Sequence, residues 1–229
     1  NKYIFKCFES ALKLIKKKKI IGIINCPVIK EFLFKNKNHG ITEYLGKKFK
    51  VSGREVMLLY NKKLSVSPLT THIPLSLVSK KLRKIEIINK VITINTFYKK
   101  NFNLRPKIGI LGLNPHNSYG KRDSQENKII FPAVKRIKKK GIKIVGPISA
   151  DTSFINHNKK RFDVIFGMYH DQVLTPFKAL FKYNAINVTL GLPFLRVSPD
   201  HGIAKDIVGK NIANPNSLID SIKFFNNIN

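Results

Sequence analysis

Residues 108–116 read IGILGLNPH, a run of apolar and small residues from Ile108 to Leu113 closed by Asn114, Pro115 and His116. Six such residues ended by a proline fit a buried strand and are too few for a buried helix. On its N-terminal side a helical stretch fits from Pro74 to about Phe97, with Asn101 to Pro106 as the intervening loop. On its C-terminal side apolar runs recur at 142–148, 162–168 and 186–190, separated by helix-compatible segments, and a last helix fits 217–227. Towards the start of the chain, runs at 55–60 and 64–69 follow a short strand at Ile20 to Ile24. Before that strand, Ile4, Phe8, Leu12 and Ile15 fall at i, i+4, i+8 and i+11 on one face of an amphipathic helix. Strands alternating with helices at this spacing predict an α/β fold, a mostly parallel sheet with helices on both faces. No internal repeat or low-complexity linker interrupts it. Residues 1–229 therefore read as a single region, with two α/β subdomains flanking a cleft and no compositional mark of a boundary between them.

Composition allows such a core: 43% of the 229 residues are hydrophobic. The charge is unusual, with 43 Lys and Arg against 13 Asp and Glu, a net of +30. A polyanion or an acidic membrane is the first partner such a balance suggests. The cations, however, are 36 Lys and only 7 Arg, beside 22 Asn. Surfaces that read nucleic acid favour Arg for its bidentate and stacking contacts. Lys, Asn and Ile share A/T-rich codons, so genome drift accounts for the excess and no nucleic-acid partner is expected. Cys7 and Cys26 stand at no metal-ligand spacing and form no disulfide framework, which points to a reducing cytoplasm. Lys16 to Lys19 followed by Ile20 to Ile24 superficially copies a secretory signal, but Asn25 and Pro27 cut it short. No stretch approaches the ~20 apolar residues of a membrane span.

Three histidines each close an apolar run: Leu69-Thr70-Thr71-His72, Leu113-Asn114-Pro115-His116 and Gly167-Met168-Tyr169-His170. Ligands of open parallel sheets bind outside the carboxyl ends of the strands, so the three imidazoles are candidates to converge in one crevice. Three imidazoles with a vacant position make a catalytic transition-metal site. Each is also, taken alone, an ordinary polar loop residue after a strand. Downstream, Lys178, Asn187 and Arg196 bring an ammonium, an amide and a guanidinium that could hold a phosphate or carboxylate. Arg196 is the more informative for being scarce here, although Asp200 and His201 stand near enough in sequence to pair with it. Asp171 and Asp200 are candidates to orient an imidazole or simply to cap a turn.

The strings TTHIPL (70–75), LNPH (113–116), GPISADTSF (146–154), MYHDQ (168–172) and NVTLGLPFLRVSPDHGIA (187–204) together resemble, in order and spacing, the 4-hydroxythreonine-4-phosphate dehydrogenase family of pyridoxal phosphate biosynthesis. The similarity extends from about Pro27 and Lys30 to the C-terminus. It implies a fold like that of isocitrate and isopropylmalate dehydrogenases, lacking the N-terminal part. It further implies a homodimer with the active site at its interface, a divalent metal (zinc, magnesium or cobalt) and oxidation by NAD or NADP. The family's metal ligands match His72, His116 and His170; its substrate contacts match Thr42, Lys178, Asn187 and Arg196. The implied reaction oxidises 4-phosphohydroxy-L-threonine and releases carbon dioxide to give 3-amino-2-oxopropyl phosphate.

The chain also departs from that pattern. Gly40-Ile41-Thr42-Glu43 stands where the family has Gly-His-Thr-Glu, so Ile41 replaces a substrate-contacting His, with His39 as the neighbour that could compensate. Asn117-Ser118-Tyr119 replaces a small, glycine-rich loop after His116. The chain opens at Asn1 with the first third of a family-length sequence absent, which suggests a fragment or a shortened product. Three other readings therefore stand beside the leading one: a dehydrogenase of a related phosphorylated sugar acid, an inactive remnant serving as a binding or dimerisation module, and a nucleic-acid binder whose affinity falls steeply with salt.

Overall fold

A computed structural model describes residues 2–29, 40–51, 53–155 and 161–228. Its centre is one eight-stranded sheet in the order β1-β8-β7-β2-β3-β6-β4-β5. In chain order these are β1 (Gly22–Ile24), β2 (Val56–Tyr60), β3 (Ser65–Thr70), β4 (Ile108–Leu111), β5 (Ile144–Ile148), β6 (Val164–Tyr169), β7 (Ile186–Leu190) and β8 (Leu195–Pro199). The α/β class and the strands read from the apolar runs are as expected. Four pairings are parallel, β1 with β8 and the run β3, β6, β4, β5. The three in the middle, β2 with β3, β2 with β7 and β7 with β8, are antiparallel. Short connections cause part of this: residues 61–64 and 191–194 are too few for a crossover, so each must make a hairpin.

The strands carry apolar side chains on both faces, because both are covered. On one face Leu58, Ile110, Phe166 and Val188 pack beneath the helix Lys84–Phe102, the helix Phe131–Lys138 and the C-terminal helix Asn216–Asn226. On the other, Leu59, Val66, Leu111 and Ile165 meet Val173, Leu174 and Phe177 of the helix His170–Phe181. A smaller third group joins Phe8 and Leu12 of the first helix, Lys2–Lys16, to Ile23, Phe194 and the helix Ile41–Lys48.

The stretch expected as one helix from Pro74 to about Phe97 is two, Leu75–Lys81 and Lys84–Phe102. No proline or glycine breaks it. Leu82 takes an extended backbone and is buried, while Arg83 Nη1 donates to the carbonyls of Lys80 and Leu82 and satisfies the end of the first helix. The longer helix then stops at Asn103, a left-handed cap whose N–H donates to the Tyr98 carbonyl. No helix among the described residues is long and apolar enough to cross a membrane.

Candidate active site

The site is built where β3 and β6 end. These strands are parallel neighbours paired up to Thr70 and Tyr169, so the residues that follow leave the sheet side by side. β3 continues into Thr71 and His72, and β6 passes without a loop into the helix that starts at His170. Thr70 Oγ1 donates to the Met168 carbonyl at 2.8 Å. Gln172 clamps the next strand to the same place, its Nε2 donating to the Gly112 carbonyl and its Oε1 accepting from Met168 N–H, both at 2.7 Å. The rings of His72 and His170 consequently face each other with centroids 6.1 Å apart.

A cleft of about 540 Å³ opens here, lined by Thr42, His72, His170, Lys178, Asn187 and Arg196. Six of the seven side chains singled out in the sequence are thus gathered in one place. Arg196, on β8, is 4% exposed and directly opposite Thr189 of β7. Its Nε donates to Asn25 Oδ1 at 2.6 Å and its Nη1 to Thr189 Oγ1 at 3.1 Å, and that hydroxyl lies 3.2 Å from Thr42 Oγ1. Burial lowers the guanidinium to about 10, with the Glu43 charge opposing the shift, so the group stays cationic at neutral pH. Asp200 does not pair with Arg196. It forms an ion pair with Lys178 at 2.6 Å, and the Lys178 ammonium also donates to the Asp200 carbonyl. Burial raises the Asp200 carboxyl against the pull of Lys178. Asn187 Oδ1 is buried with no hydrogen-bond partner among the described residues, which leaves an acceptor at the cleft wall.

Each imidazole has a carboxylate on its Nδ1 side. Asp171 Oδ1 lies 2.6 Å from His170 Nδ1, and Glu43 Oε1 lies 3.3 Å from His72 Nδ1. Glu43 sits in the first turn of the helix Ile41–Lys48 and also accepts from Thr71 Oγ1 at 2.9 Å. Burial by itself would raise its carboxyl. Hydrogen bonds from His72, its own backbone N–H and Thr71, with the imidazole charge, outweigh that and hold it at about 2.

His116 is placed differently. It does not line the cleft but belongs to an exposed turn after β4, its ring 5.2 Å from that of Tyr119. His116, Asn117, Ser118 and Tyr119 all have left-handed backbones, φ between 47° and 56°, a costly arrangement without glycine, roughly 1–2 kcal/mol per residue. Glu126 holds it. Its buried carboxylate accepts from the N–H groups of Leu113 and Asn114 at 2.9 and 2.8 Å, from the Asn114 side chain, and from Ser118 Oγ at 2.8 Å. Among the described residues no three His, Cys, Asp or Glu side chains are placed to share a metal ion within this one chain. The structure therefore brings together two of the three candidate ligands.

Ile41 is buried beside Leu45 in the third apolar group, and His39, its candidate substitute, lies outside the described residues. Asn25, Glu43, Thr189 and Glu126 carry no role in the sequence reading. Glu43 could have been found from its place beside Thr42; Asn25 meets Arg196 only across 171 residues of chain, while Thr189 and Glu126 meet their partners across a hairpin and a turn. A second cavity of about 540 Å³, with Ile203, Ile207, Val208 and Ile212 in its wall, adjoins the cleft through His201 and Ile203, which line both.

The sequence model of the family described as pyridoxal phosphate biosynthetic protein PdxA matches residues 1–225. The chain belongs to this family. A 4-hydroxythreonine-4-phosphate dehydrogenase from Sulfurihydrogenibium is 45% identical over 221 residues, 94% of this chain and 67% of the relative; one from Aquifex aeolicus is 42% identical, over 91% of this chain and 65% of the relative. A crystal structure of 4-hydroxythreonine-4-phosphate dehydrogenase from Klebsiella pneumoniae superposes with a TM-score of 0.81 at 33% identity, covering 96% of this chain and 68% of that one. Isocitrate dehydrogenase from Methylococcus capsulatus, at 11% identity and a TM-score of 0.57, shares the fold alone over 93% of this chain and 69% of its own. The chain spans about two thirds of the length of the PdxA relatives it matches. The PdxA family is thus a family of dehydrogenases on a fold shared with isocitrate dehydrogenase, as the motifs suggest.

Proposed function

We propose that this PdxA-family chain oxidises 4-phosphohydroxy-L-threonine with NAD or NADP, releasing carbon dioxide to leave 3-amino-2-oxopropyl phosphate. The observation that carries the reading is the cleft itself: two facing imidazoles stand beside a buried guanidinium, an ammonium, a hydroxyl and an unpartnered amide oxygen. The cationic and hydroxyl donors suit the phosphate and carboxylate of a small amino acid, and the amide oxygen can accept from its ammonium.

Arg196 is fixed by Asn25 and Thr189 before any substrate arrives, so it can bind an anionic end without reorganising. Lys178 is held by Asp200, and a phosphate or carboxylate that engages the ammonium takes over part of that pairing. Thr42 and Asn187 orient the polar middle of the substrate. The donor chemistry of His72 and His170 suits a divalent metal such as zinc, magnesium or cobalt, since a carboxylate at each Nδ1 leaves Nε2 for a ligand. Such a metal, held by His72 and His170, would supply Lewis acidity to the substrate hydroxyl, and a nicotinamide would supply the hydride acceptor. His116, exposed on its turn, completes the ligand set of a second copy in a homodimer with interfacial sites. His201 and Ile203, which line both the cleft and the adjoining apolar cavity, are the residues that would hold the cofactor there.

With a divalent metal, NAD or NADP and the phosphorylated substrate, the purified protein is expected to show growth at the reduced-nicotinamide absorbance band, abolished by Arg196→Met. No growth with any metal and cofactor pair rejects the reading. Mixing His116→Ala and His72→Ala chains is expected to restore activity that neither has alone; two variants that stay inactive when mixed argue against shared sites.

A further inference from the structure

We propose that Glu43 is a positioning residue that dictates which nitrogen of His72 is presented to the cleft. The inference rests on the reading above only in what the presented nitrogen is for.

Glu43 reaches His72 from a separate element. The helix Ile41–Lys48 begins at the cleft wall, and from its first turn the carboxylate lies across the exit of β3, where Oε1 takes the Thr71 hydroxyl at 2.9 Å and faces His72 Nδ1 at 3.3 Å. Gly40 makes room for the pair. A Cβ there would stand 2.6 Å from Glu43 Oε2 and 3.1 Å from His72 Cε1, so ring and carboxylate pack directly on the glycine backbone. Glu43 is therefore anchored on three sides, by its helix, by Thr71 and by Gly40.

The consequence is chemical. An ionised carboxylate only accepts hydrogen bonds, whereas a neutral imidazole has one N–H and one lone pair. Beside Glu43, the proton of His72 belongs on Nδ1 and the lone pair on Nε2, the nitrogen left to a ligand. An amide in the same place changes the rule. Glutamine keeps the shape, and since the Oε2 place on Gly40 offers an NH₂ no partner, its NH₂ takes the Oε1 place, where it donates to Nδ1 and the Thr71 hydroxyl turns to accept. That stabilises the opposite tautomer, with a proton on Nε2 where a cation would bind. The change acts on the ring's proton rather than on packing, which separates positioning from mere support. Groups that orient an imidazole in this way typically alter metal affinity by ~10–100-fold.

The test uses metal-free protein and Co²⁺ as probe. Two-bond ¹H–¹⁵N correlation spectra of wild type are expected to show His72 as the Nδ1–H tautomer. Glu43→Gln is expected to move His72 towards Nε2–H and to weaken Co²⁺ binding, followed by calorimetry, by ~10–100-fold. Glu43→Asp, which keeps an acceptor, is expected to retain the Nδ1–H form. If Glu43→Gln does not fold, Thr71→Val is the substitute, expected to leave His72 as a mixture of tautomers by loosening Glu43. An unchanged tautomer in Glu43→Gln, or in Thr71→Val where that variant stands in, overturns the proposal. Wild type that fails to bind Co²⁺ counts against the metal reading alone, because the tautomer shift is measured without metal.

Discussion

At the scale of single residues, Glu126 shows how much one buried carboxylate organises. All the groups it faces are donors: two backbone N–H groups, the Asn114 amide and the Ser118 hydroxyl. Glu126→Gln turns an oxygen into an NH₂ pointed at donors, leaving buried groups unsatisfied, and is expected to lower stability by about 1–3 kcal/mol in urea unfolding. The pH dependence follows from the shift. Burial would raise this carboxyl, but the hydrogen bonds from Asn114, its own backbone and Ser118 bring the net below its ordinary value. A depressed folded-state pKa stabilises the fold above the unfolded value and loses that effect as pH falls through the folded one. The gap between wild type and Glu126→Gln should thus be full at neutral pH and shrink below the ordinary carboxylate range. A gap that is constant with pH would mean that shape, not charge, holds the His116 turn.

At the scale of elements, the hairpin of β7 and β8 carries Asn187 and Arg196 into the cleft, with Thr189 behind to hold Arg196, and its turn begins at Gly191. There φ is +84°, and an added Cβ would meet the Arg54 carbonyl oxygen at 2.4 Å. Gly191→Ala is expected to cost about 1–3 kcal/mol and to raise KM more than it lowers kcat, since it shifts the residues proposed to hold the substrate. Gly202→Ala, with no atom within 4 Å of the new methyl, is the control and should stay within ~0.5 kcal/mol. These elements also show what a sequence reveals. Runs such as Ile108–Leu113 and Val164–Met168 announce strands because two-sided burial demands unbroken apolar residues. His72 and His170 were legible as neighbours for a related reason, each following a strand of a parallel sheet. Strand β8 and the helix Ile41–Lys48 were not separately legible, being short and mixed in polarity. The break at Leu82 also escapes local reading, because burial of that side chain and the Arg83 contacts decide it. His116 escapes too: its direction is set by a left-handed turn that depends on Glu126, ten residues away.

At the scale of the whole molecule, the net charge of +30 gives the chain a field whether drift or selection produced it. Two opposite consequences follow from that field. Like charges repel one another and weaken the fold, while the same potential would draw the proposed phosphorylated substrate towards the protein. Salt separates the two effects. Between about 0.01 and 0.15 M the screening length falls from ~30 to ~8 Å, short enough to isolate the lysine runs at 16–19 and 138–140 from the site while sparing the buried Arg196. Thermal midpoint is therefore expected to rise over this range as self-repulsion is screened, and kcat/KM for the phosphorylated substrate to fall on the order of tenfold. Turnover at saturating substrate should stay level, because Arg196 and the Lys178–Asp200 pair act at contact distance. Should kcat/KM stay flat while the midpoint rises, the surface lysines contribute nothing to capture, and recognition belongs to the cleft residues alone.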